Sequence, residues 1–286
     1  VQITKDLIPV IIHDYTLCRT SDVSDIERFE DRTPWRVSDF TLEELQSLDF
    51  GSWFNLEYEP ILTLEKALFF AKEQHLFLNV EIKDMSNTFS DDMVVKIIID
   101  MIKKTQTEHL VLLSSFYHHY LPMCKKLSPQ IPTAALQTHK HPDNLIDYLH
   151  TLQVDAYHPD DKITNQKIVF SLREAGFFVN VFTVNKTESQ KELFDWGVNC
   201  IFTDFLETEA EDKPLYYKFI ADCHLGKLAK YLRLMGIDKL FFPHIEDDKI
   251  ILIANNENRI ILTRNRYLSQ RKNPPVIFLD PTDTTA

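Results

Sequence analysis

Leu76-Phe77-Leu78-Asn79-Val80-Glu81-Ile82-Lys83 puts apolar side chains at every second position, the pattern of a β-strand with one face in a core. Leu76, Leu78, Val80 and Ile82 fall on one face; Phe77, Asn79, Glu81 and Lys83 fall on the other. A Glu and a Lys two residues apart at a strand end are placed to hold a divalent cation and a phosphate oxygen. They are equally placed to form a buried structural ion pair, and the segment alone leaves both open.

Outward from this strand the first 205 residues alternate strand-like and helix-like segments, which predicts parallel α/β architecture. Further strands are expected at Ile8–His13, Leu110–Phe116, Phe178–Asn185 and Cys200–Thr203. Thr41-Leu42-Glu43-Glu44 is a capping box; Thr63 caps a helix running to about Gln74; Asp91 to Lys104 carries Val94, Val95, Ile98 and Ile99 on one stripe. Gly176 and Gly197 stand where helices should end. No Gly-rich phosphate loop follows any strand, and GxGxxG, GxxxxGK[ST] and GxSxG are absent, which excludes nucleotide-fold and α/β-hydrolase readings. A (β/α)8 TIM-type barrel is the better fit. Its strands pack their outer face under helices, so Glu81 and Lys83 would point inward near the C-terminal rim, where barrel active sites lie.

The chain has 286 residues, which predicts about two domains. No run approaches ~18 apolar residues, so no membrane span is expected. Residue 1 is Val and the first residues read as strand rather than as a signal peptide, so the chain reads as beginning inside a domain. Cys18, Cys124, Cys200 and Cys223 stand far apart, without CxxC pairs, which suits a reducing, cytoplasmic compartment. Net charge is −12, but residues 215–286 hold 11 Lys and Arg against 8 Asp and Glu. The basic tail and the acidic body therefore suit different partners.

In the tail, Phe219-Ile220-Ala221-Asp222-Cys223 reads as a strand ending in an acid. Leu225, Leu228, Ala229, Leu232 and Met235 fall at helical spacing, with Lys227, Lys230 and Arg233 on another face and Gly236 ending the helix. Glu246-Asp247-Asp248 opens a second helix, and Ile260 to Arg266 reads as a strand leaving into a basic loop. These acids could meet at one sheet edge as in a two-metal nuclease, or be caps of a small α/β domain. Elsewhere, His118-His119 and His139/His141 lack helical zinc spacing and read as solvated loop; His158-Pro159-Asp160-Asp161 could line the barrel mouth but reads better as a turn with N-cap character. Trp35, Trp53 and Trp196 read as packing residues, with Trp53 also a candidate for the edge of a pocket.

His13 ends the apolar run Ile8–Ile12 and is followed by Asp14, Leu17, Arg19 and Thr20; a His there can move a proton near neutral pH. Val1-Gln2-Ile3-Thr4-Lys5-Asp6 with Ile8–Asp14 and Leu17–Thr20 resembles the "DVQLTKDG-PVVxHDxxLxRT" stretch of glycerophosphodiester phosphodiesterases. In the same order, Phe40–Leu45 with Leu48–Phe54, Ile61–Glu65, Asn79–Lys83, Ser114-Ser115-Phe116, Val181–Asn185 and Gly197–Asp204 resemble that family's later motifs. The resemblance implies a barrel that cleaves glycerophosphodiesters to glycerol 3-phosphate and an alcohol with Mg²⁺ or Ca²⁺. It implies His13 as a catalytic histidine, Glu81 as a metal ligand and Lys83 as the phosphate contact; Trp53 and Phe182, the latter standing where the family commonly has Trp, are candidates for the pocket. The family's HRG, PENT and ExD elements would precede Val1, so these residues are expected to form an N-terminally incomplete, inactive barrel.

Phe219 to Arg266 resembles the PIN-like ribonuclease family found at the C-terminus of the Mut-seven proteins, implying Asp222, Asp248 and Asn265 as its acidic-site positions. Asn265 stands where that family has Asp, which predicts weak metal binding. The expected organisation is a barrel at 1–206, an acidic linker at 207–217 and a PIN-like domain at 218–286, truncated at its C-terminus. The alternative function is RNA binding, or weak RNase activity, by the C-terminal domain, and a third reading is a degenerate barrel acting as a scaffold.

Overall fold

The computed structural model describes residues 1–205, 218–234, 237, 239–257, 259–271 and 273–279. The acidic linker at 207–217, Met235 and Gly236 lie outside the described residues. Two compact units are present: residues 1–137 with 142–155, and residues 138–141 with 156–286. No helix among the described residues is long and apolar enough to cross a membrane.

The first unit contains β1 (Gln2–Ile3), β2 (Pro9–Ile11), α1 (Leu42–Gln46), α2 (Ser52–Asn55), β3 (Leu62–Thr63), α3 (Leu64–Glu73) and β4 (Leu78–Glu81). It continues through α4 (Asp91–Thr105), β5 (Val111–Ser115), α5 (Tyr120–Leu127), β6 (Thr133–Gln137) and α6 (Leu145–Leu152). The expected strand at Ile8–His13 is shorter and belongs to a different sheet. β2 pairs antiparallel with β1 (Gln2 opposite Val10) and with β3 (Val10 opposite Thr63). The cause is local. Thr4 exchanges backbone and hydroxyl hydrogen bonds with Ile8, and Leu7 takes φ +65°, so the chain reverses before Pro9. The segment between β2 and β3 encloses its own core of Leu17, Val23, Phe29, Val37, Phe40, Leu45 and Leu48.

Helix starts follow the capping chemistry. Thr41 accepts from the Glu44 amide while Glu44 accepts from the Thr41 amide, and Thr63 accepts from the Lys66 amide. On α4, Val94, Val95, Ile98, Ile99 and Ile102 are buried in one cluster with Val80, Ile82, Val111 and Leu113. Burying each such side chain is worth about 1.5–3 kcal/mol. That burial fixes which face of β4 is inside the helical layer, and therefore where Glu81 and Lys83 emerge. β4, β5 and β6 run parallel, with Glu81 opposite Ser114 and Ser114 opposite Ala134.

The second unit contains β7 (Ala156–Pro159), α7 (Gln166–Glu174), β8 (Phe178–Val181), α8 (Thr187–Asp195) and β9 (Cys200–Ile201). After these come β10 (Phe219–Ala221), α9 (Gly226–Leu234), β11 (Lys239–Phe241), α10 (Asp247–Glu257), β12 (Ile260–Thr263), α11 (Arg266–Ser269) and β13 (Val276–Phe278). β7, β8 and β9 are parallel and adjacent in chain order; β10 to β13 form a parallel sheet of order β11-β10-β12-β13. Among the described residues the body of the chain thus supplies six parallel strands, three per unit, where a complete (β/α)8 barrel has eight. The turn expected at His158-Pro159-Asp160-Asp161 begins two residues late: His158 and Pro159 close β7, and Asp160 then caps a short 3₁₀ turn by accepting from the Lys162 amide.

Candidate functional site

Because Val80 and Ile82 are anchored under α4, Glu81 and Lys83 leave β4 together on its other face. The Lys83 ammonium lies 2.7 Å from Glu81 Oε1, with 7% of the Lys83 side chain and 22% of the Glu81 side chain exposed. The Tyr15 ring centroid is 6.0 Å from Lys83 Nζ, and burial, then the charges of Asp84 and Glu81, raise the Tyr15 hydroxyl above its ordinary pKa. His13 stands on the loop after β2. Its Nδ1 is 2.8 Å from Asp14 Oδ1, and Asp14 also receives both Nε and Nη2 of Arg19. The Arg19 fork, with His13 adding to it, holds the Asp14 carboxyl well below the usual carboxylate range. An ionised carboxylate only accepts, so His13 donates from Nδ1 and keeps the Nε2 lone pair for a proton. His13, Glu81 and Lys83 line one cavity of about 800 Å³, whose remaining wall includes Ile11, Leu62, Phe70 and Leu78.

Trp53 does not line that cavity. The Arg19 guanidinium sits 5.4 Å from its ring centroid, which links Trp53 to His13 through Arg19 and Asp14. Phe182 lies in the second unit, edge-on to Phe202 with centroids 6.5 Å apart. Beside that pair is a feature the sequence reading missed. His158 is fully buried, and its Nε2 accepts from Asn180 Nδ2 at 2.9 Å. Burial pushes its pKa down to about 3, so the ring is neutral. The available signal was Asn180 itself, a polar residue inside the apolar run Phe178-Val179-Asn180-Val181. His118 and His141 are not free loop residues either. Each ring donates from Nε2 to a carbonyl, Leu136 O or Ile163 O, and accepts from a tyrosine hydroxyl, Tyr148 or Tyr157.

In the C-terminal sheet Asp222 follows β10 and is 2% exposed. Its Oδ1 accepts from the His224 amide, and its Oδ2 from the Arg264 amide and the Thr263 hydroxyl. Thr263 Oγ1 accepts from the Asn265 amide, and Asn265 Nδ2 donates to Asp247 Oδ2 at 2.8 Å. Asp248, the expected member, is the exposed next residue of α10; the first-turn acid that meets Asn265 is Asp247, because one step along a helix rotates the side chain by about 100°.

Residues 1–208 match the model of the glycerophosphoryl diester phosphodiesterase family. The chain belongs to that family. Residues 217–285 match the Mut7-C RNAse domain. A glycerophosphodiester phosphodiesterase of Bacillus altitudinis is 31% identical over 72% of this chain and 80% of its own length. That of Caldanaerobacter subterraneus is 32% identical over 73% and 81%. Among solved structures, an Oleispira antarctica phosphodiesterase in complex with its product sn-glycerol-3-phosphate superposes with TM-score 0.62 at 26% identity, covering 71% of this chain and 78% of that one. The α/β fold with its parallel strands is that of the family's TIM-barrel structures.

Members of the glycerophosphoryl diester phosphodiesterase family are in general dependent on a divalent metal. The residues present do not fit a tightly held ion. Among the described residues no three His, Cys, Asp or Glu side chains are grouped to hold one. At the rim Glu81 is already neutralised by Lys83, and Asp14 by Arg19. A hard cation with one shared carboxylate keeps most of its water and binds weakly.

Proposed function

We propose that the rim of His13, Glu81 and Lys83 takes the phosphate of a glycerophosphodiester, the substrate class whose hydrolysis gives glycerol 3-phosphate and an alcohol. The observation that carries the reading is that one cavity is lined by all three side chains, a cation, a carboxylate and an oriented imidazole. Lys83 would donate to a phosphoryl oxygen as a charge-assisted hydrogen bond. Asp14, itself held by Arg19, fixes the His13 ring; in a member of the family that turns the diester over, an Nε2 so held would accept a proton from the attacking water or return one to the leaving oxygen. Glu81, 2.7 Å from the Lys83 ammonium, holds that side chain in place. Since the rim carboxylates are already paired, these 286 residues bind the diester without turning it over, with Mg²⁺ or Ca²⁺ alike. Residues 1–206 are assigned to this diesterase domain and 218–286 to a second one. A reducing cytoplasm suits the four free thiols.

The test is phosphorus NMR of glycerophosphocholine with the chain, with and without MgCl₂ or CaCl₂. Line broadening that Lys83→Met removes, with no new resonance of glycerol 3-phosphate, is expected. Equal broadening by the variant would overturn the site, and metal-dependent product formation would overturn the inactivity.

A second reading rests on the RNAse-domain match: α9 presents Lys227 and Lys230, suited to phosphates of single-stranded RNA. Salt-sensitive RNA binding weakened by Lys227→Glu with Lys230→Glu is expected; unchanged binding would remove this reading.

A further inference from the structure

A ribonuclease domain with acids at its strand ends implies a divalent cation between them, and here the geometry disagrees. Asp222 and Asp247 come from two different elements, and Thr263 and Asn265 join them into one hydrogen-bonded chain. The decisive member is Asn265. The Tyr267 amide at the start of α11 can only donate, and it donates to Asn265 Oδ1 at 2.9 Å. The oxygen is thereby committed to the cap, so the group turned toward Asp247 is the amide NH₂. A cation arriving beside Asp247 would meet two N–H hydrogens where it needs an oxygen. Rotating the amide by half a turn would break both the cap and the bond to Asp247. Asp222 offers no easier approach, because each of its oxygens already accepts from a backbone amide and Oδ2 from a hydroxyl as well. His224 Nδ1, 3.5 Å from Asp222 Oδ1, stands over the same carboxylate.

We propose that the side-chain amide of Asn265 closes this strand-end site to divalent cations, acting as a neutral stand-in for the ion, and that a single carboxylate at position 265 opens it. An aspartate there keeps the cap, since one of its oxygens can still accept from the Tyr267 amide. Its other oxygen then faces Asp247 at hydrogen-bond distance with no proton between them. Two carboxylates so placed repel until a cation or a proton is taken up.

The test compares the full chain with Asn265→Asp, with Asp247→Asn and with the two substitutions combined, using Mn²⁺ as the probe. Binding is read by electron paramagnetic resonance and stability by thermal unfolding without metal. The expected result is that Asn265→Asp takes up one more equivalent of Mn²⁺ than the wild type, half-saturating below about 1 mM, the weak end of protein divalent sites. The metal-free variant should melt below the wild type and recover when Mn²⁺ is added, and the second substitution should abolish the extra equivalent. Two results would overturn the proposal: wild-type Mn²⁺ binding that Asp247→Asn abolishes, or an Asn265→Asp variant that gains no equivalent. A variant that fails to fold without metal but folds with Mn²⁺ supports it; one that fails under both conditions is replaced by Asn265→Ser, which removes the NH₂ and should relieve the block without adding charge. No gain of Mn²⁺ affinity by that serine variant over wild type would then overturn it.

Discussion

Lys83→Met separates a working ion pair from incidental proximity. In the wild type the Lys83 ammonium and Glu81 carboxylate are 2.7 Å apart, one nearly buried and the other about one-fifth exposed. Removing one partner of a buried pair costs about 3–5 kcal/mol, because the remaining charge is left dehydrated and unanswered. Glu81 retains some water, so Lys83→Met should cost less, about 2–3 kcal/mol. Glu81→Gln strands the more deeply buried ammonium and should cost about 3–4 kcal/mol. With both substitutions no charge remains to be buried, and the double variant should lie within about 1 kcal/mol of wild type, a coupling of roughly 4–6 kcal/mol. Urea unfolding of the four proteins at neutral pH, with equal m-values checked, measures the cycle. Additive single costs would show that the two charges are independently solvated, and the rim as described would be wrong.

Three further outcomes follow from the same physics. Glu44, paired with Arg32, is held at about 2 against an ordinary 4.5, so its contribution is full above 4.5 and is lost as pH falls through about 2. Glu44→Gln should therefore cost about 1–2 kcal/mol at neutral pH, after discounting for partial exposure, and nothing in strong acid, as read by unfolding at both. His158 titrates at about 3 when folded and near 6.5 when unfolded, so the unfolded chain binds the extra proton between those values. Stability should fall with acidification below 6.5 by up to about 1.4 kcal/mol per pH unit, and His158→Gln should flatten that slope in urea titrations. Gly197 ends α8 at φ +94°, with open space around an added Cβ, so Gly197→Ala should cost about 1 kcal/mol from backbone strain alone, measurable as a lowered melting temperature.

What the sequence disclosed is what local chemistry decides. The Thr41–Glu44 box, the Thr63 cap and the α4 stripe were legible because each needs only residues three or four apart. The two faces of Leu76–Lys83 were legible for the same reason, at a spacing of two. β6 and β7 escaped because Thr133-Ala134-Ala135-Leu136-Gln137 has a single β-branched residue and two alanines, and Ala156-Tyr157-His158-Pro159 looks like a turn. Antiparallel pairing of β2 could not be read, since alternation reports burial of a face and not the direction of the neighbouring strand. The braces on His118 and His141 depend on tyrosines 30 and 16 residues away, a separation no local pattern records.

The most direct measurement of the central claim is an amide NMR titration of the chain with sn-glycerol 3-phosphate. If one phosphate touches all three side chains, the amides around His13 and those around Glu81 and Lys83 shift together along a single binding isotherm. Shifts confined to one of the two segments, or fitted by two different affinities, would contradict a shared phosphate at this rim.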